Sequence, residues 1–401
     1  MTITETSYRF NSPAQLVAGD GASDQVGPLL DSWAVPPGTV AVVVDADVLG
    51  LGLAKPILAS LEGQGYRPEV VACTPGEPEL AGVETVVADL RRMKPAACVG
   101  LGGGSTMDVA KLAAALTTNP GDVTDFLGPN RVRLPSPPTV LVPTTAGTGS
   151  EATQVAMLSV HGKKAAAASA PLMARAAILD PALIIGLPKS VTAASGLDAL
   201  SHAFESYLST TANPSTEGAS IHGATLIAAS IRAVFADGSD RDMRMAMLTG
   251  AYWSGIGLNA SVVLGHSIAY TIANRTGLPH GVTCSMALPY CLAYNEKASS
   301  SRIERLAVAL REQIGGGDRL DSDPTGIYGW LAALEKQLGV PASLQEVGIQ
   351  RSDVPGMVEE CITSYPRANN PVPFDAKALG RLYDYLFDGD IHGCAATFRN
   401  A

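Results

Sequence analysis

Along the first 185 residues or so, short runs of β-branched and aliphatic residues alternate with stretches whose apolar positions recur at helical spacing. That is the pattern of successive β-α-β units in a mainly parallel sheet. Thr39-Val-Ala-Val-Val-Val-Asp45 predicts a strand buried on both faces and ending in a carboxylate, with a helix over 48–62 after it. A second strand is expected at 69–73, a second helix at 82–92, a third strand at 96–101 running into glycines, and a fourth at 139–143. From Ser190 onward the texture changes to long Ala-, Leu- and Ile-rich helical periods with almost no strand signal. The shift falls around Asp180-Pro181 and Leu187-Pro188. It predicts an α/β domain at 1–185 followed by an all-helical domain at 186–401.

Composition narrows the class. A chain of 401 residues exceeds the size at which one core keeps growing, so two domains are expected. With 46% hydrophobic and 16% charged residues it reads as a core-rich enzyme, not a disordered chain. A net charge of −10 disfavours nucleic acid and anionic membranes as partners. Residues 1–7 lack the basic and apolar regions of a secretory signal, which points to the cytoplasm. The apolar stretch 165–187 is interrupted by Pro171, Arg175, Asp180 and Pro181 and does not read as a membrane span. The six cysteines form no Cys-x-x-Cys pair and read as buried thiols of a reducing compartment.

The candidate chemistry lies in four side chains. Asp198 and His202 stand four residues apart in a helical stretch and so project from one face. His266 and His280 follow, and the Gly277-Leu-Pro-His-Gly281 turn can bring the last imidazole back toward the first. One carboxylate and three imidazoles make an O/N donor set without sulfur, suited to Fe(II) or Zn(II) and unlike a Ca or Mg site. His161, His222 and His392 lack such company and read as structural or exposed.

Two loops could hold a cofactor. Gly102-Gly-Gly-Ser-Thr-Met-Asp-Val-Ala-Lys111 starts where a buried strand ends and a helix begins. Gly102, Gly103 and Gly104 let a diphosphate approach the backbone and the helix's first N–H groups. Ser105 and Asp108 belong to the same loop as candidate cofactor contacts, with a capping box as their structural alternative, and Lys111 as an i,i+3 partner of Asp108. Pro143-Thr-Thr-Ala-Gly-Thr-Gly-Ser-Glu151 offers the hydroxyls of Thr144, Thr145 and Thr148. Two such loops after successive strands suit a dinucleotide crevice. Asp45, at a strand end, is placed to accept from ribose hydroxyls and to repel a 2′-phosphate, favouring NAD over NADP.

In these motifs, together with Ile178-Leu-Asp-Pro-Ala-Leu183 and Leu278-Pro-His-Gly281, the chain resembles the iron-containing (group III) alcohol dehydrogenase family over nearly its whole length. The resemblance implies a Rossmann-like parallel-sheet domain, an all-helical metal-binding domain, the broad architecture shared with dehydroquinate synthase, and a cleft holding NAD(P) and the metal. It implies Asp198, His202, His266 and His280 as metal ligands and residues 102–105 as the pyrophosphate loop. Thr144, Thr145, Thr148 and Lys164 become further cofactor contacts, and a homodimer is the family's expected assembly. The implied reaction passes hydride between the nicotinamide and a small polar alcohol or aldehyde. Many members carry a second histidine four residues after the third ligand; here Tyr270 stands there, so a tyrosine replaces the imidazole as candidate proton relay. That departure resembles the phosphonoacetaldehyde reductase branch, an alternative reading. Maleylacetate reductases, which generally lack the full quartet, dehydroquinate synthase-like lyases, and a non-catalytic sensor fit less well.

Overall fold

The computed structural model describes residues 7–314 and 323–400; most of the N-terminal stretch read above for targeting lies outside them. The chain divides into two compact units. One comprises Arg9–Leu187 and Ser239–Ile256; the other comprises Met1–Tyr8, Pro188–Gly238 and Gly257–Ala401.

The first unit is built on strands β1 (Gln15–Ala18), β2 (Thr39–Asp45), β3 (Arg67–Cys73), β4 (Ala97–Gly102), β5 (Gly128–Pro129), β6 (Thr139–Pro143), β7 (Val155–Val160), β8 (Lys163–Ala168) and β9 (Ala176–Leu179). Six of them form one sheet in the order β1-β9-β6-β4-β2-β3, parallel throughout. Its helices are α1 (Val26–Ser32), α2 (Ala46–Gly50), α3 (Lys55–Gly63), α4 (Leu80–Met93) and α5 (Gly104–Leu116). The apolar run of β2 is explained by burial on both faces. Ala41 and Val43 pack with residues of α4 and α5, whereas Val40, Val42 and Val44 pack with residues of α1 and α3. From β2 the chain steps outward to β3, then returns to β4 and continues the other way through β6 to β9. The order reverses between β2 and β4, which is where an open α/β sheet makes its ligand crevice at the carboxyl ends of the strands.

The expected helix over 48–62 is two helices, because the chain breaks at residues 51–54 around Gly52, whose φ is +75°. The alanine-rich patch at 165–168 belongs to β8, which pairs antiparallel with β7 in a small second sheet.

The second unit contains α6 (Lys189–Leu208), α7 (Pro214–Ala236), α9 (Leu264–Thr276), α10 (His280–Ala309), α11 (Arg311–Ile314), α12 (Ile327–Leu338), α13 (Val354–Ser364), α14 (Ala376–Asp388) and α15 (Ile391–Asn400), with no strand among its described residues. Between α7 and α9 in sequence lies α8 (Arg241–Leu258), and here the two compact units depart from the expected division at 185/186. Ser239–Ile256, which hold all of α8 but its last two residues, group with the sheet unit. Gly149 and Gly255 lie so close that a Cβ on Gly149 would stand 2.5 Å from the Gly255 Cα. The Arg244 guanidinium also reaches the carbonyls of Ile185 and Leu187, each at 3.4 Å. Of the described helices only α7 is long and apolar enough to cross a membrane by composition; half of its apolar window is buried inside the protein, and Glu217 on it pairs with Arg302 at 2.6 Å. A core helix meets the same criterion.

Candidate metal centre and nucleotide loop

One face of α6 carries Asp198, His202 and Glu205 at positions i, i+4 and i+7, all buried. Glu205 meets the start of α9, where no side chain of the N-cap residue Val263 caps the helix. Its Oε2 accepts from the N–H groups of Val263 at 3.0 Å and His266 at 3.2 Å, so a carboxylate occupies the positive end of α9. Its Oε1 lies 2.6 Å from Nδ1 of His266. When Glu205 is ionised it can only accept, so Nδ1 then carries the proton and Nε2 keeps its lone pair. Burial pushes the Glu205 carboxyl up to about 7, opposed by the backbone N–H of His266 and the charge of Arg367.

His280 is the first residue of α10, following the Gly277 turn (φ +67°) that ends α9. The backbone of α10 presses on α6 directly after it: a Cβ on Gly281 would stand 1.8 Å from the carbonyl oxygen of Ala194. No side chain larger than hydrogen fits there without moving His280 away from α6.

These constraints converge on one atom. The Nε2 atoms of His202, His266 and His280 lie 3.7, 3.9 and 3.8 Å from Oδ1 of Asp198. Such separations are too long for hydrogen bonds. They sit a few tenths above the roughly 3.4 Å edge of a tetrahedron whose donors are about 2.1 Å from its centre. Neutral imidazole lone pairs and a carboxylate oxygen facing one another repel unless a cation lies among them. The buried His202 Nδ1 has no hydrogen-bond partner among the described residues, so this ring lacks an outer acceptor of the kind Glu205 gives His266. The donor set therefore fits the divalent metal expected from the sequence.

A thiol lies beside this donor set, which the sequence reading takes as free of sulfur. Asp198, His266, His280 and Cys284 form a group whose donor atoms all lie within 4.8 Å of one another. Cys284 sits one helical turn beyond His280, with Sγ 3.4 Å from Nε2 and 3.8 Å from Nδ1. All six cysteines are buried, but the sequence reading gave Cys284 no distinct place. Its signal was the i,i+4 spacing that had singled out Asp198 and His202.

Tyr270, one turn after His266, lies parallel to the His280 ring with centroids 5.3 Å apart and planes 8° apart. It meets His266 edge-on at 6.3 Å and is backed by Tyr365 at 4.8 Å. It is thus a wall against which His280 is oriented.

In the sheet unit, Asp45 and Gly102 end the adjacent strands β2 and β4 at the reversal point. Asp45 is buried: it caps α2 by accepting from Val48 N–H at 2.8 Å, and its other oxygen accepts from the Thr106 hydroxyl at 3.1 Å. The N-cap of α5 is Gly103, with no side-chain cap, so the capping box considered for Ser105 and Asp108 does not form. Half-buried Ser105 lies in the first turn of α5. The second loop closes over the first. Thr144 N–H donates to Gly102 O at 2.9 Å. A Cβ on Gly104 would stand 2.5 Å from Thr148, and one on Gly103 would stand 3.8 Å from Thr145. Backbone N–H groups at a helix start thus lie under two threonine hydroxyls, an arrangement that suits phosphate oxygens.

Asp108 has a different job from the cofactor contact expected of it. One oxygen takes the Ser150 hydroxyl at 2.5 Å and the Lys111 ammonium at 3.0 Å; the other takes Met157 N–H at 2.9 Å. Lys111, fully buried, also donates to Ser150 O at 3.0 Å and Thr153 Oγ1 at 3.2 Å. The pair straps the second loop to α5. Lys164 lies on β8, with its ammonium 3.2 Å from Glu77 Oε2.

Comparison with known proteins agrees with the motifs. The iron-containing alcohol dehydrogenase profile matches residues 13–181, and the C-terminal profile of the Fe-containing alcohol dehydrogenase family matches 192–387. Long-chain-alcohol dehydrogenase 1 of Geobacillus thermodenitrificans (strain NG80-2) is 32% identical over 381 residues, 93% of this chain and 95% of that protein. The NAD-dependent methanol dehydrogenase of Bacillus methanolicus is 29% identical, over 90% of this chain and 95% of that one. The crystal structure of a 1,3-propanediol oxidoreductase superposes with a TM-score of 0.88 at 28% identity, covering 95% of this chain and all of that one. With both profiles, a relative above 30% identity along almost its full length and the same fold, the chain belongs to the iron-containing alcohol dehydrogenase family and is an oxidoreductase of the alcohol dehydrogenase type.

Proposed function

We propose that the chain works as a metal-dependent aldehyde reductase drawing hydride from NADH, with small polar aldehydes as substrates and the corresponding alcohols in the reverse direction. The observation that carries this reading is the convergence of three imidazole nitrogens on the single oxygen Asp198 Oδ1. A divalent cation held by Asp198, His202, His266 and His280 supplies Lewis-acid polarisation of a carbonyl or alcohol oxygen. The chain's own side chains set the conditions for it. Glu205 fixes the tautomer of His266, and Tyr270 orients His280. His280, its side chain 32% exposed, is the most open of the four. Residues 102–105 with Thr144, Thr145 and Thr148 hold the dinucleotide diphosphate, and Asp45 favours NAD over NADP by repelling a 2′-phosphate. Lys164 is proposed as a further cofactor contact. Hydride chemistry belongs to the nicotinamide, so no side-chain nucleophile is needed.

The test is NADH and NADPH consumption by metal-reconstituted protein across an aldehyde panel that includes phosphonoacetaldehyde. Turnover is expected with NADH, to be abolished by a chelator and by His280→Ala. Full turnover in a metal-free sample would overturn the reading. Cytoplasmic location, a homodimer, and the absence of nucleic-acid or membrane partners complete the proposal; the assembly is tested by sedimentation.

A further inference from the structure

We infer that Cys284 is a sulfur donor of the metal centre alongside Asp198, His266 and His280 and biases it toward zinc-like, borderline-soft cations. The inference rests on the metal-centre reading above and goes beyond its four O and N ligands. Cys284 is wholly buried, and its Sγ shares a group with Asp198, His266 and His280 in which every donor atom is within 4.8 Å of the others. For sulfur at about 2.3 Å and imidazole nitrogen at about 2.05 Å from one cation, the sulfur-nitrogen separation runs from roughly 3.1 Å at a right angle to roughly 3.8 Å at about 120°. The observed Sγ to His280 Nε2 distance is 3.4 Å. Cys284 follows His280 by four residues on α10, as His202 follows Asp198 on α6. Each helix thus presents a pair of donors one turn apart.

Sulfur changes what the site selects. A carboxylate with three imidazoles accepts iron and zinc alike, whereas a thiolate favours zinc and cobalt over a harder ion. On coordination the thiol proton passes to solvent buffer and the sulfur lone pair enters the metal's shell, with no oxidation state changed. The centre then holds its cation partly through a donor that no hydroxyl can replace.

Cobalt(II) substitution tests this without an activity assay. Metal-free protein reloaded with cobalt is expected to bind one ion per chain and to show the near-ultraviolet sulfur-to-cobalt charge-transfer band. Cys284→Ser and Cys284→Ala are expected to bind cobalt but to lose that band, and to lower the zinc-to-iron(II) affinity ratio on the order of tenfold. Stoichiometric cobalt binding without the band in the unsubstituted protein overturns the inference alone, as does a band that survives in both variants. If no cobalt or zinc binds to the unsubstituted protein, the metal-centre reading fails as well. The two failures are therefore distinguishable.

Discussion

Oε1 of Glu205 lies 2.6 Å from Nδ1 of His266, and neither side chain reaches solvent to any useful extent. The same carboxylate receives two N–H groups from the start of α9, so a single residue of α6 sets both where His266 stands and which nitrogen faces Asp198. Outer partners of this kind typically alter metal affinity 10–100-fold. Glu205→Gln keeps the volume but places an amide where the carboxylate accepted from Nδ1. We expect a folded protein whose zinc affinity falls by about 10–100-fold in a competitive chelator titration. Unchanged affinity would mean that His266 is oriented by packing alone.

The buried ion pair Asp108–Lys111 is expected to matter for stability. Asp108→Ala strands a fully buried ammonium and removes the acceptor of Met157 N–H and the Ser150 hydroxyl. Breaking a buried pair in this way costs about 3–5 kcal/mol. Urea unfolding is expected to show that loss in Asp108→Ala and a substantial recovery in Asp108→Ala with Lys111→Met. A single variant as stable as the parent but weak in NAD binding would return Asp108 to the list of cofactor contacts.

The two loops and the helical run carrying Asp198 and His202 are legible because each is a contiguous motif. Strands β2 and β6 were legible because burial on both faces leaves an unbroken aliphatic run. Strand β1 is short and mostly exposed, and β9 is four residues with two alanines, so neither carries a period long enough to read. The allegiance of α8 was hidden for another reason: helical periodicity tells which face is buried, not which neighbour buries it. Glu205 was visible in the motif, but its role depends on α9 arriving at α6, a contact between residues 61 positions apart. Cys284 is hidden among six scattered cysteines, and only its four-residue spacing from His280 on one helix sets it apart.

Glu151 gives the protein a pH dependence that substitution can isolate. It is 1% exposed, Oε2 has no hydrogen bond among the described residues, and burial raises its carboxyl from the ordinary 4.5 to about 7 despite the nearby Lys111 charge. The folded state therefore holds this proton more tightly than the unfolded state. Stability is greatest below the ordinary value and declines as pH rises toward about 7, by roughly 3 kcal/mol in total from this group, levelling above that. Glu151→Gln cannot titrate. Unfolding free energies measured at about pH 5 and about pH 8 should therefore fall less between the two in Glu151→Gln than in the parent. Equal declines in both would place the titrating group elsewhere.

Tyr270 combines two roles that two substitutions separate. Its ring lies parallel to His280 and is backed by Tyr365, so the ring orients a metal ligand whatever the hydroxyl does. Tyr270→Phe keeps the stack and deletes the hydroxyl, whereas Tyr270→Leu deletes the stack. Loss of the ring is expected to weaken zinc binding by roughly tenfold, in the range of other residues that position ligands from behind, while Tyr270→Phe binds zinc as the parent does. If the hydroxyl also moves the proton for aldehyde reduction, Tyr270→Phe lowers kcat and alters its pH profile with metal content unchanged. Full activity and an unaltered profile in Tyr270→Phe would remove the hydroxyl from the proton path and leave the ring as a support for His280. Unweakened zinc binding in Tyr270→Leu would remove even that.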